Sequence, residues 1–321
     1  MKMSIIVPVY NEEEMIKTCL KALSEIDYPK RDYEVIVVND GSTDRTKKSI
    51  EDFIRKEKKT KFKLVNQKNS GRALTRENGA RLAKNENLLF TDSRCTVHSD
   101  ILKQVAKSKY KIIVGNPLTD KESALGRFGY LFRKKLFKGS FENFKSIEIN
   151  KANFDDISKG TTVLFCKKKL FLSSQLDNQQ SKDNSDDTKL LWNLLEKAKI
   201  EKNPDVKVTY HPRTSLKNHI KHTYERGPKF VDYYFKPGRK YFPYILSMLF
   251  ALAILLGLLM FYPVLFGYSL LTLLALDILV SVYLSEKFSD FTILATLMPL
   301  TGAMFTLGIL KGIFMKILGR Y

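Results

Sequence analysis

The chain has 321 residues, enough for one α/β domain and an appendage. Its net charge of +20 is unevenly placed: residues 1–240 hold 50 of the 54 Lys and Arg and 31 of the 34 Asp and Glu. That excess suits an anionic partner. Nucleic acid, an anionic bilayer surface and a phosphorylated substrate all qualify; no nucleic-acid recognition motif stands out, and the apolar segment after residue 240 makes the bilayer the expected partner. Three scattered cysteines, Cys19, Cys95 and Cys166, exclude a disulfide framework and a cysteine metal site, and they suit a reducing, cytoplasmic setting.

Residues 3–9 read as a first strand, too short for a signal peptide, with Tyr10-Asn11 as its exit turn. Residues 12–26 follow as a helix with Met15, Cys19, Leu20, Leu23 and Ile26 on one face. A second strand, 33–38, ends in Asn39-Asp40-Gly41-Ser42-Thr43-Asp44, and Asp44 caps a helix running to about residue 58. Strand 62–66, helix 71–84, strand 87–92, helix 100–107 and strand 111–115 complete an alternation that predicts a parallel sheet covered on both faces.

After Pro117 the rhythm breaks. Residues 123–137 are basic and aromatic, either an ordinary amphipathic helix or a membrane- or acceptor-facing one. Residues 161–165 read as a strand and 175–185 as a mobile loop. Asp186-Asp187 then precedes a helix at 189–199, and a last strand at 206–210 ends in His211-Pro212.

Domain boundaries are expected at 1–215, 216–240 and 241–321. The middle segment is basic and aromatic and is expected along an anionic leaflet, at about 1 kcal/mol per basic residue. Apolar stretches at 242–262, 264–284 and 291–310 each approach the ~20 residues of a membrane span. The positive-inside rule places the basic domain in the cytoplasm. Three crossings would leave Lys311, Lys316 and Arg320 outside. The third stretch therefore spans, which is the expectation, or re-enters, or lies partly in the interface. Asp277, within the second stretch, is expected to make one inter-helix hydrogen bond.

The runs Val7-Pro8-Val9-Tyr10-Asn11-Glu12, Val37-Val38-Asn39-Asp40-Gly41-Ser42-Thr43-Asp44, Arg76, Gly79 and Phe90-Thr91-Asp92-Ser93 occur in order over residues 3–95. This series resembles glycosyltransferase family 2, and the resemblance continues more weakly through 160–227. It implies an α/β GT-A fold, a Rossmann-like and mostly parallel sheet, followed by transmembrane helices. It also implies an inverting transfer from a nucleotide-sugar, UDP-linked by preference, to a lipid-linked acceptor, as in dolichyl-phosphate-sugar synthases. The setting implied is a multi-pass protein of the cell membrane with its catalytic domain in the cytoplasm.

Residue by residue, the resemblance assigns donor binding to Pro8, Tyr10, Glu12, Asp40, Arg76, Asp92 and Arg94. A carboxylate at a strand end, as at Asp40, can accept a ring N–H of uracil or guanine, and Tyr10 would border the base. Asp92 opens a D-x-D element whose carboxylates hold the ribose and a divalent cation, Mg²⁺ or Mn²⁺. Here Arg94 stands at the second carboxylate. Three readings follow: Arg94 itself neutralises the diphosphate, Asp92 with His211 still holds a metal, or the domain binds without catalysing.

Asp186-Asp187 resembles the family's acidic pair, with Asp187 as general base; the competing reading is helix capping. Arg76 either reaches the nucleotide or braces Asp92. Arg226-Gly227 resembles a loop that closes over the diphosphate or acceptor. A Q-x-x-R-W signature is missing, which argues against a long-chain synthase. The competing class is a nucleotide-sugar-binding membrane protein that acts through partner binding.

Overall fold

The computed structural model describes residues 1–176 and 186–319. Most of the expected loop at 175–185 lies outside the described residues, as does the side chain of Asp186. Two compact units divide the rest: residues 1–120, 136–176 and 186–212 form one, residues 121–135 and 213–319 the other.

In the first unit β1 (Met3–Val9), α1 (Ile16–Ser24), β2 (Tyr33–Asn39), α2 (Thr46–Lys56), β3 (Lys61–Asn66), α3 (Arg72–Leu82) and β4 (Asn87–Thr91) alternate. These strands are parallel, in the order β3-β2-β1-β4. β1 and β2 are buried throughout, as unbroken runs of β-branched residues in a doubly covered sheet require. β3 exposes Lys61 and Lys63 and turns Phe62 and Leu64 inward, the composition of a protected edge. α1 lays Ile16, Cys19, Leu20 and Leu23 on the sheet. It starts four residues later than expected, because residues 10–15 form a turn in which Asn11 takes φ 51°. Gly79 brings α3 onto β1: a Cβ there would stand 2.5 Å from Ile6 Cγ2.

The second half of the sheet is mixed. β5 (Cys95–Val97), α4 (Ile101–Lys107) and β6 (Ile112–Thr119) come next. After α5 (Ala124–Leu136), which groups with the other unit, come β7 (Ile147–Ile149), β8 (Val163–Lys167), α6 (Lys168–Ser173), α7 (Asp186–Lys197) and β9 (Ile200–Tyr210). β8 runs antiparallel between β4 and β6, and β9 pairs parallel with β6 but antiparallel with β5 and β7. The parallel expectation therefore describes the β3-β2-β1-β4 half. β6 continues past Pro117 because residues 116–119 pair with β9 beyond a register shift. β5 and β7, three residues each, are too short to show a period.

In the second unit α8 (Leu216–Tyr234), α9 (Phe242–Phe261), α10 (Pro263–Leu284) and α11 (Phe288–Ile317) follow. The last three are long and apolar enough to cross a membrane. α11 has 30 residues, about 45 Å of helix, and so exceeds the 20 residues expected. α5 is tied to it by Arg127, which donates from Nε and Nη2 to Asp290 at 2.8 and 2.7 Å and from Nη2 to Glu286 at 2.7 Å. Lys134 also bonds Glu286, and it leads the causes that hold this carboxyl below its usual range.

Residues 226–227, expected as a loop, lie inside α8. Gly227 is buried, and a Cβ on it would stand 2.1 Å from the carbonyl carbon of Gly308 on α11. The glycine permits a close helix crossing, and Arg226 is exposed on α8. Neither lies in a loop.

Candidate active site

Tyr10 and Glu12 follow β1, Asp40 follows β2 and Asp92 follows β4. These strands are parallel neighbours, so their exits meet at one sheet edge, the place where open α/β sheets bind ligands. Pro8, which has no N–H to donate, stands past Ile6–Phe90, the last register pair of β1 with β4.

The turns after β1 and β2 are zipped together. Asn11 N donates to Ser42 Oγ at 3.0 Å, and Thr43 N to Asn11 Oδ1 at 2.8 Å. Glu12 N donates to Thr46 Oγ1 at 2.8 Å and Arg45 N to Glu13 Oε2 at 2.8 Å. Asp44 accepts from Thr46 N at 2.9 Å and from Glu13 N at 3.3 Å; it stands one residue ahead of the N-cap Arg45 and ties the start of α2 to the turn after β1.

Asp40 is 4% exposed. Its Oδ1 accepts from Gln67 Nε2 and Ser70 N, both at 2.8 Å, and its Oδ2 from Gly71 N at 2.9 Å. Gln67 is itself set by Asn78, whose Nδ2 donates to its Oε1 at 2.7 Å. Gly41, at φ +71°, lies under this loop, where a Cβ would be 2.9 Å from Asn69 N. Asp40 thus organises the turn after β3, and Tyr10 stands exposed at the neighbouring β1 exit.

A second carboxylate cluster forms around Arg76 of α3, whose side chain is 3% exposed. Its Nη2 donates to Asp92 Oδ1 at 3.0 Å and its Nη1 to Asp187 Oδ1 at 2.9 Å. Thr161 Oγ1 adds a 2.6 Å bond to the same Asp187 oxygen. Asp187 lies in the first turn of α7 rather than before the helix, where the helix dipole favours an anion. A narrow pocket lined by Ala73, Phe171, Gln175, Leu176 and Leu190 opens on Arg76 and Asp187. Arg76 thus brings together one residue expected at the donor and one expected as base. Thr161, which completes the arrangement, carried no sequence signal; Gln67 and Ser70 sit in a glycine-bearing polar turn like that of Asp40 and were readable by the same criterion.

Arg94 lies apart from this cluster. Its Nη1 donates to Glu12 Oε2 at 2.7 Å, its Nε to His211 O at 2.8 Å and its Nη2 to Pro212 O at 2.9 Å. It straps the end of β9 to the turn after β1. His211 Nδ1 donates to Asp120 Oδ2 at 2.9 Å, and Nε2 meets Thr96 Oγ1 at 3.1 Å. Both imidazole nitrogens are therefore engaged away from Asp92, against the one of the three readings in which Asp92 and His211 hold a metal together. With Arg94 in place of the second carboxylate and Asp92 shared with Arg76, the residues present do not fit a resident Mg²⁺ or Mn²⁺ centre. Among the described residues no three His, Cys, Asp or Glu are grouped to hold a metal. The nearby thiols add no ligand: burial first, then the charge of Asp92, pushes Cys19 up to about 12, and the same causes raise Cys95.

Residues 4–156 match the family model described as glycosyl transferase family 2. The chain is similar to the poly(ribitol-phosphate) β-N-acetylglucosaminyltransferase TarS of Staphylococcus aureus, 36% identical over 106 residues, 33% of this chain and 18% of that protein. It spans roughly a sixth to a third of the first curated relatives it matches. Over a longer stretch it resembles a Methanococcus voltae protein named dolichyl N-acetyl-α-D-glucosaminyl phosphate 3-β-D-2,3-diacetamido-2,3-dideoxy-β-D-glucuronosyltransferase. That match is 23% identical over 240 residues and covers 70% of this chain and 71% of the relative. Among solved structures, the mannosyltransferase PcManGT of Pyrobaculum calidifontis, in complex with GDP-Man and Mn²⁺, shares the fold. Its TM-score is 0.65 at 18% identity, covering 97% of this chain and 87% of that one.

Proposed function

Starting from residues 4–156 as a glycosyltransferase family 2 domain on a GT-A fold, we propose that this chain transfers one sugar, with inversion, from a UDP-sugar to a lipid-linked acceptor at a membrane. The observation that carries this reading is the Arg76 bridge, which holds Asp187 beside the donor-side Asp92.

In the proposed step Asp187 accepts the proton of the acceptor hydroxyl as that oxygen attacks the anomeric carbon. The bond from that carbon to the diphosphate oxygen breaks, and its electron pair leaves with UDP. One displacement inverts the anomeric centre. Arg76 and Thr161 orient the base. Asp40 reads the nucleobase. Three of the roughly four lone-pair sites of its carboxylate are taken by protein N–H groups. The one that remains suits the single ring N–H of uracil better than the several donors of guanine. No step is routed through a metal.

The lipid acceptor is supported by the apolar helices and by the dolichyl phosphate in the name of the Methanococcus voltae relative. The basic residues of 1–240 suit a domain held in the cytoplasm against the cell membrane. The test is incubation of membranes containing the full chain with a panel of radiolabelled UDP- and GDP-sugars. Label from a UDP-sugar entering the organic-extractable fraction, with inverted configuration, is expected. UDP binding without transfer to any lipid extract would favour a binding protein instead.

A further inference from the structure

Three helices qualify as spans by length and composition, but α11 differs from the other two in how it is covered. α9 buries only Ile245 and α10 only Ser281 and Leu284, so both present nearly all faces outward. α11 buries residues on one face toward both of its ends, Asp290, Leu294 and Leu297 at the start and Gly308 and Gly312 near the finish. Its opposite side is a continuous exposed stripe: Pro299, Ala303, Leu307, Leu310, Phe314 and Ile317, spaced three or four residues apart. A helix lying on an apolar medium shows this exposure, and so does a span packed on one side, so the contacts decide between them.

Its contacts agree. A hairpin turning at residues 285–287 would set residue 281 opposite residue 291. Instead Ser281 Oγ meets Met298 Sδ at 3.7 Å, seven residues further along α11. The start of α9 meets α11 at a different place, where Ile245 shares an apolar cluster with Ile309 and with Val231 of α8. The two ends of the α9–α10 hairpin therefore rest on α11 some eleven residues apart, about 16 Å along its axis. The companion that follows α11 lengthwise is α8. His219 Nε2 bonds Thr301 Oγ1 at 3.1 Å, Gly227 crosses Gly308, and Lys316 Nζ reaches Phe235 O at 2.5 Å. These pairs keep an offset of 81–82 residues, so the two helices run parallel. α8 exposes Lys217, Lys221 and Arg226. Carrying residues 301–316 through hydrocarbon would carry these charges with them, at a cost natural spans avoid.

We infer that only the α9–α10 hairpin crosses the bilayer, and that α11, with α8 beside it, lies along an anionic leaflet on the side of the N-terminal unit. The inference rests on the reading of the protein as membrane-bound. Two crossings return Lys311 and Lys316 to the side of the other basic residues, which removes the conflict that three crossings create with the positive-inside rule.

The native thiols Cys19, Cys95 and Cys166 are buried, so a single introduced cysteine reports its own accessibility. Lys58→Cys, Tyr262→Cys and Leu318→Cys, all at exposed positions, are placed in the full chain in sealed membrane vesicles and treated with an impermeant maleimide. Positions 58 and 318 are expected to label from one side at least tenfold faster than from the other, and position 262 from the opposite side. Labelling of 318 from the side of 262 would overturn the inference and leave the membrane reading intact. Labelling of 262 from the side of 58 would overturn both, because the hairpin would not cross.

Discussion

Asp40 and Asp92 leave strands on either side of β1, yet the two corners are built differently. Asp40 is held by neutral donors, Gln67 and two backbone N–H groups, all in the next strand-to-helix turn. Asp92 is held by a buried guanidinium that also holds Asp187, far along the chain. The first corner is a local shape, whereas the second is a charge balance assembled only by the complete fold. Removing a part of the first leaves a polar gap; removing the centre of the second leaves two carboxylates facing each other in a partly dry site.

The sharpest break of this contrast is Arg76→Met. Loss of the shared cation is expected to destabilise the unit by about 3–5 kcal/mol, read from chemical unfolding followed by the fluorescence of Trp192, the one tryptophan of the chain. Adding Asp187→Leu should recover part of the loss, since the uncompensated charge is what costs. Asp40→Asn comes next. It replaces two charge-assisted acceptors with an amide and should cost about 1–3 kcal/mol and weaken UDP binding more than tenfold by calorimetry. Gln67→Ala, at the rim of the same corner, should cost only about 1 kcal/mol. A Gln67 effect equal to that of Arg76 would erase the distinction.

The strap formed by Arg94 makes a further difference measurable. Chelation with EDTA should change UDP affinity less than about threefold, and Mn²⁺ should not restore what Arg94→Ala loses. The smallest effect concerns the thiols. Cys19 titrates near 12 in the folded chain and near 8.5 when unfolded. The native state therefore keeps its proton longer, and its contribution to stability, complete below about pH 8.5, declines as pH rises toward 12. No cysteine should react with an aromatic disulfide reagent at pH 8 until the chain unfolds.

These contrasts also explain what could be read from the sequence. The Asp40 corner was legible because an apolar run ending on a polar, glycine-bearing turn is a local signal. Asp187 was reached only through a family resemblance, and its partner Thr161 is a lone hydroxyl two residues ahead of β8. His211 stayed open as a metal ligand because a histidine at a strand end looks the same whether it faces a cation or Asp120, 91 residues away. Gly227 was expected in a loop only through the family resemblance; its packing role exists only once α11 lies against it. Strand direction is likewise absent from hydropathy, so the antiparallel β8 could not be separated from a parallel one.

The most direct test of the Arg76-centred site is a comparison of wild type with Asp187→Asn in the same membranes. UDP affinity should agree within about twofold, while transfer of sugar to lipid falls at least a hundredfold, about 2.7 kcal/mol of transition-state stabilisation. Equal transfer by both proteins would remove Asp187 from the chemistry and contradict the site.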